Sequence, residues 1–162
     1  MQLDLREEPY DGPIAQQLIA EVQLEYVARY GSPDESPVDA AQFEPPDGRF
    51  VVGYVDAVPV ATGALRRFDS DTVEVKRMYV RPDFRGLGLS RMMLAHLEAL
   101  AAQMGARRVV LETGDRQPEA MKLYETSGYE RVEPFGHYRC APESAHFGKS
   151  ISSHAHPAIT TQ

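Results

Sequence analysis

Between Val73 and Met104 the spacing of hydrophobic and polar positions changes period, and the rest of the chain is arranged around that change. Val73, Val75 and Tyr79 mark a β-rich segment, with Lys76, Arg77 and Met78 breaking strict alternation. Pro82 ends it, because its ring restricts Arg81 and its nitrogen has no hydrogen to donate to a ladder. From Leu89 the pattern becomes helical: Leu89, Met92, Met93, Leu97, Leu100 and Met104 form one stripe with His96 on it, and Arg91, Glu98 and Gln103 fall elsewhere. Between strand and helix lies Arg85-Gly86-Leu87-Gly88-Leu89-Ser90. A glycine-rich turn into a helix presents unpaired amide hydrogens and about half a positive charge, on a backbone that a ligand can approach closely. Such a turn suits an anion, above all a phosphate.

The flanking segments follow the same two periods. Gln2 to Glu7 alternates around Leu3 and Leu5 and predicts a short first strand. Gly12-Pro13 opens a helix whose apolar residues are Ile14, Leu18, Val22, Leu24, Tyr26 and Val27, and Gly31-Ser32-Pro33 stops it. Ser32 to Gly48 is rich in Pro, Asp and Glu, with Asp39 capping one turn through Ala40, Ala41 and Phe43. Such a stretch in a compact domain predicts a lid or specificity loop.

Arg49–Val55 and Val58–Phe68 predict a hairpin around Asp56-Ala57, and Asp69-Ser70-Asp71 turns the chain into the Val73 strand. After Gly105, Val109 to Leu111 is a short apolar run, expected parallel to the Val73 strand through a right-handed crossover. Thr113 to Gln117 is a loop, and Pro118 begins a helix that presents Ala120, Leu123 and Tyr124 and ends at Gly128. Tyr129 to Val132 and Ala145 to Ile151 predict two last strands. Residues 1–151 thus read as one domain, and 152–162 as a disordered tail.

Composition narrows the class. A chain of 162 residues with 43% hydrophobic and 25% charged residues can bury a core without metals or disulfides. No apolar run approaches the roughly 20 residues a membrane span needs. The start, MQLDLREEPYDG, is acidic where a signal peptide would be basic and then apolar. A single cysteine, Cys140, allows no internal disulfide and suits a reducing cytoplasm. The net charge of -7 argues against nucleic acid as a partner. It leaves room for one anionic cofactor near Arg77, Arg81, Arg85 and Arg91, and hints at a cationic amine as second substrate.

Three phosphate loops are candidates for Arg85–Ser90. The mononucleotide loop fails for want of its Lys-Ser/Thr pair, and the dinucleotide fingerprint fails because Arg91 stands at the third glycine. The acyl-coenzyme A loop Arg/Gln-x-x-Gly-x-Gly/Ala is matched by Arg85 and Gly88, with Ser90 at the last small position. Together with "VEVKRMYVRPDFRG" before it and "AMKLYETSGYERV" after it, the chain resembles the GCN5-related N-acetyltransferase (GNAT) family, from about Arg49 to Lys149. The resemblance implies a mixed α/β fold: a central, mostly antiparallel sheet with one parallel strand pair, flanked by helices. It implies acetyl-CoA as cofactor and direct transfer of the acetyl group to a primary amine of a small molecule. A homodimer is left open, since relatives often pair and no interface signature stands in the sequence.

The resemblance also assigns residues. Met78, Tyr79 and Val80 would offer strand amides to the pantetheine arm and the acyl carbonyl, provided the parallel neighbour splays away. Arg85, Gly86, Leu87, Gly88, Leu89 and Ser90 would hold the pyrophosphate, and Gln117 stands where relatives carry an asparagine against pantetheine. Tyr124 in the Leu-Tyr-x-x-x-Gly-Tyr run would protonate the leaving thiolate, as a phenol with pKa near 10 remains neutral at working pH. An alkylamine with pKa near 10.4 costs about 4.6 kcal/mol to present uncharged at pH 7, so a carboxylate base is expected. Glu74 on the central strand is the first choice and Glu112 on its neighbour the second; either could instead pair with Lys76 or Arg77. His96 reads as a core or cofactor-edge residue, Cys140 as inert, and His154 and His156 lack the further ligands a metal needs. Two other functions share these residues: an acyl-CoA-binding sensor without turnover, and a protein or peptide acetyltransferase with an open acceptor groove.

Overall fold

The computed structural model describes residues 2–151. The tail reading for residues 152–162, with His154 and His156, lies outside the described residues. The chain builds a seven-stranded sheet in the order β1-β2-β3-β4-β5-β7-β6. Its strands are β1 (Asp4–Glu7), β2 (Gly48–Val55), β3 (Val58–Arg67), β4 (Thr72–Val80), β5 (Arg108–Gly114), β6 (Glu130–Arg131) and β7 (Ser144–Ser150). All neighbours are antiparallel except β4 and β5, which run parallel from Thr72–Arg108 to Val75–Leu111. This is the mixed, mostly antiparallel sheet with one parallel pair that the sequence predicts.

Helices α1 (Pro13–Tyr30), α2 (Leu89–Gln103) and α3 (Pro118–Thr126) cover the sheet. Alternation along β2 divides two cores: Val51 and Val55 join α2, whereas Phe50, Val52 and Tyr54 join α1. Helix α2 lies close on β3 because Gly63 has no Cβ; one there would meet Leu97 and Met93 at 2.8 Å. The buried stripe of α2 is Leu89, Met93, Leu94, Leu97, Leu100 and Ala101, and Met92 is turned to solvent. Each such leucine contributes about 1.5–3 kcal/mol by burial.

In α1 the structure corrects the predicted stripe. Ala15, Leu18, Ile19 and Val22 face the core, while Leu24 is 71% exposed. At about 100° per residue, Leu24 stands some 200° round the helix from Val22, so the two cannot share a face. Gly31 ends α1 in the left-handed region (φ 81°), its N–H donating to the Val27 carbonyl. Asp39 caps a single 3₁₀ turn, Ala40–Phe43, as expected, and Phe43 is buried against Phe50 and Tyr10. The Ser32–Gly48 segment is therefore anchored at its far end.

The interruption seen in the sequence at Lys76-Arg77-Met78 is a bulge in β4. Arg77 sits at φ 56°, and the register with β3 shifts between Thr62 and Ala64. The Thr62 hydroxyl donates to the Arg77 carbonyl at 2.6 Å and fixes the distortion. The bulge reverses the alternation: Val73 and Val75 point to the α2 core, but beyond it Tyr79 points to the α1 core. A bulged strand also bends and twists away from its neighbour. Pairing with β5 stops at Val75, and β4 runs on to Val80 without it.

Candidate active site

Where β4 and β5 part, a cavity of about 250 Å³ opens. Glu74, Lys76 and Met78 of β4 and Glu112 of β5 line it, together with Gln117, just ahead of α3, and Tyr124 of α3. Tyr26 and Tyr30 come from α1, Asp34 from the loop after it, and Tyr138 from the β6–β7 loop. Glu74 pairs in register with Val110, so Glu112, two residues on, shares its face of the sheet.

Tyr124 is 6% exposed and packs edge-on against Tyr129, ring centroids 5.9 Å apart. Its hydroxyl has no hydrogen-bond partner among the described residues. Burial pushes its phenol well above the ordinary value, and the nearby charge of Glu112 adds to that. Glu74 is held in an ion pair with Arg66, Oε1 to Nε 3.0 Å, in place of the expected Lys76 or Arg77. Glu112 has no cation within ion-pair distance among the described residues. Burial raises its carboxyl above the ordinary range, against the opposing pull of a Ser144 hydrogen bond and the Lys76 charge. The two carboxylates on one face thus differ in their partners: Glu74 is ion-paired with Arg66, and Glu112 has no such pair among the described residues.

The other predicted residues lie at the end of β4, in the turn after it and at the starts of α2 and α3. Beyond Val75 the β5-facing edge of Met78, Tyr79 and Val80 has no strand partner among the described residues. Arg85 donates from Nε to the Val80 carbonyl at 2.9 Å and pairs with Glu25 of α1 at 2.8 Å, stitching the turn to the strand. Gly86 and Gly88 take φ of 77° and 80°, the left-handed region that favours glycine. Leu87 is half exposed and Leu89 is buried, which pins the start of α2. No side chain caps that helix start, and Ser90 is half-buried beside it. Gln117 stands immediately before α3 and reaches the cavity. His96 is half-buried on α2 and Cys140 is exposed; neither lines the cavity.

The basic island expected around the turn is largely neutralised from α1 and the loop after it. Glu21 takes Arg81 at 2.7 Å, Glu25 takes Arg85, and Asp34 takes Arg77. Arg91 instead donates to the hydroxyls of Thr126 and Ser127 at the end of α3.

Sequence reasoning missed Asp34, which gathers the charged and polar groups on one wall of the cavity. Its carboxylate lies 2.6 Å from Arg77 Nη1 and 3.2 Å from Lys76 Nζ. It also accepts from Tyr138 Oη and Ser36 Oγ, each at 2.8 Å, and from the Ser36 amide at 3.0 Å. These contacts hold its carboxyl far below the usual aspartate range, Lys76 contributing most against the desolvation that opposes it. The signal available was an acid within a proline-rich loop, which has no period to mark it.

The sequence profile of the acetyltransferase (GNAT) family matches residues 15–129. An IAA acetyltransferase of Azospirillum brasilense is 31% identical over 147 residues, covering 90% of this chain and 95% of that protein. The uncharacterized N-acetyltransferase YjgM of Escherichia coli is 30% identical and covers 81% of each chain. Among solved structures, a putative acyl-CoA N-acyltransferase from Klebsiella pneumoniae superposes with TM-score 0.82 at 26% identity, covering 93% of this chain and 99% of that one. The chain belongs to the acetyltransferase (GNAT) family. It is an acetyl-CoA-dependent acetyltransferase. The site fits that cosubstrate: an unpaired strand edge runs beside two left-handed glycines and a helix start that no side chain caps. No helix among the described residues is long and apolar enough to cross a membrane.

Proposed function

We propose that the acceptor is the primary amine of a small molecule, acetylated by direct transfer with Tyr124 as acid and Glu112 as base. The observation that supports it best is that Tyr124 and Glu112 line one cavity where β4 and β5 part, both with raised pKa. Acetyl-CoA supplies the thioester. On this reading Arg85, Gly86, Leu87, Gly88, Leu89 and Ser90 hold its phosphates, and Met78, Tyr79, Val80 and Gln117 hold the arm.

Glu112 takes a proton from the arriving ammonium, and its raised carboxyl is a stronger base than an ordinary glutamate. Glu74, tied to Arg66, is the weaker candidate for this step. A β4 amide between Met78 and Val80 polarises the acyl carbonyl. As the C–N bond forms and the C–S bond breaks, Tyr124 gives its proton to the sulfur. The new amide nitrogen sheds its second proton, which restores the phenol. A cavity of about 250 Å³, with Asp34 and Tyr138 hydrogen-bonded to each other on its wall, suits a small acceptor better than a peptide. We place the reaction in the cytoplasm, consistent with one exposed free cysteine.

A panel of primary amines with acetyl-CoA, read by thiol release, tests this. Tyr124→Phe is expected to lower kcat by about 10²–10⁴-fold while the calorimetric Kd for acetyl-CoA moves less than about threefold. Acetyl-CoA binding with no turnover of any amine would instead mark a sensing module.

A further inference from the structure

Two buried cations stand among the acids of the cavity wall. The chain carries -7, yet Lys76 and Arg77 stand side by side on the cavity wall, their side chains 8% and 4% exposed. They share one carboxylate, Asp34. Lys76 Nζ donates to Ser36 Oγ at 2.6 Å and faces Asp34 Oδ2 at 3.2 Å. An ammonium has three donors, and the third has no partner among the described residues. Arg77 uses Nη1 on Asp34, and its Nε is buried without a hydrogen-bond partner. The other carboxylates of the wall are committed, Glu74 to Arg66 and Glu143 to Arg116. Glu112 alone has no cation at ion-pair distance among the described residues.

A second cavity of about 210 Å³ adjoins the first. The two share Glu74, Lys76, Glu112 and Tyr138, and the second continues to Phe68 and Phe135, which meet edge-to-face at 5.4 Å. Lys76 therefore stands on the boundary between the transfer cavity and a second chamber with an aromatic wall.

We propose that the acceptor is a zwitterionic amino acid, with its amino group at Glu112, its carboxylate on Lys76 and its side chain in the second cavity. This rests on the amine-acetyltransferase reading above and narrows it. A zwitterion adds no net charge: its ammonium meets a carboxylate with no cation beside it, and its carboxylate meets two cations that share a single acid. A polyamine would bring two or more positive charges to a wall with one uncommitted carboxylate and two buried cations, where unpaired charge is strongly penalised. Four acids stand on the cavity wall, but Asp34, Glu74 and Glu143 are ion-paired, so Glu112 is the one open to a cationic group.

Matched trios decide the question: an amino acid, its amide and its decarboxylated amine, such as leucine, leucinamide and isopentylamine, assayed across side chains with acetyl-CoA. The best amino acid is expected to exceed its amide and amine in kcat/KM by roughly 30-fold or more, as for a buried charge pair. Lys76→Met is expected to collapse that ratio to about threefold, and Lys76→Arg, which keeps the charge, to preserve it. A wild-type ratio near one, or a ratio that survives Lys76→Met, overturns the proposal. If Lys76→Met does not fold, the wild-type and Lys76→Arg ratios decide. Turnover confined to amines without a carboxylate overturns this inference and leaves the amine-transfer reading standing. Turnover of no primary amine overturns both.

Discussion

Replacing Asp34 with alanine removes one carboxylate and leaves two cations behind. Arg77 and Lys76 are 4% and 8% exposed and Asp34 itself is 12% exposed, so water screens the loss poorly. Breaking a buried pair by deleting one partner costs about 3–5 kcal/mol, because the remaining charge is neither solvated nor compensated. Here the same deletion also removes acceptors from Tyr138 and Ser36, which places the loss toward the upper end. For a domain of this size each kcal/mol corresponds to about 2–4 °C, so Tm should fall by ~6–20 °C. Urea unfolding at pH 7 with a fitted m-value measures the free energy directly. Asp34→Asn, which keeps acceptors but not the charge, should fall between wild type and Asp34→Ala. A loss below about 1 kcal/mol for Asp34→Ala would refute the reasoning, since that is the range of an exposed pair.

Further expectations follow from the same geometry. Asp34 is held below its ordinary range, so its stabilisation is fully present above that range and is lost as pH falls below about 4. The wild-type advantage over Asp34→Asn in urea should therefore shrink between neutral pH and pH 3. Glu112 is shifted the other way: the folded chain favours its protonated form, so its contribution is lost as pH rises above the ordinary glutamate range. Glu112→Gln should raise Tm at pH 7.5, with the gap closing toward pH 4, while lowering kcat by about 10²–10⁴-fold. Gly88→Val meets no neighbour within 4 Å but must hold φ near 80°. That costs roughly 1–2 kcal/mol, and calorimetry should show acetyl-CoA binding weakened by about tenfold.

The sequence carries the fold because most elements are periodic and bounded by Gly or Pro. Pro13 and Gly31 bracket α1, Pro118 and Gly128 bracket α3, and Val109 to Leu111 is apolar on both faces as a central strand should be. It carries less of orientation: the α1 stripe turns on Ala15 and Ile19, and counting only large apolar residues hides Ala15. The hairpin at Asp56-Ala57 is legible, and Asp56 suits the left-handed region at φ 48°, but Ala57 at φ 65° is not a residue a turn rule would choose. Of the site, the turn and Tyr124 belong to short patterns that survive without coordinates. Asp34, Tyr138 and the Glu74–Arg66 pair are brought together across 104 and 8 positions by tertiary contacts, which no local pattern encodes.

The strand order has a consequence for biosynthesis. Among the described residues β6 meets the sheet only through β7, and β7 is also the outer neighbour of β5. Until residues 144–150 emerge from the ribosome, Val109, Val110 and Leu111 present an apolar edge with half of its hydrogen-bonding groups unmet. Nascent chains stalled after α3 would then be templates for aggregation, and a premature stop there should yield insoluble product, not a smaller soluble enzyme.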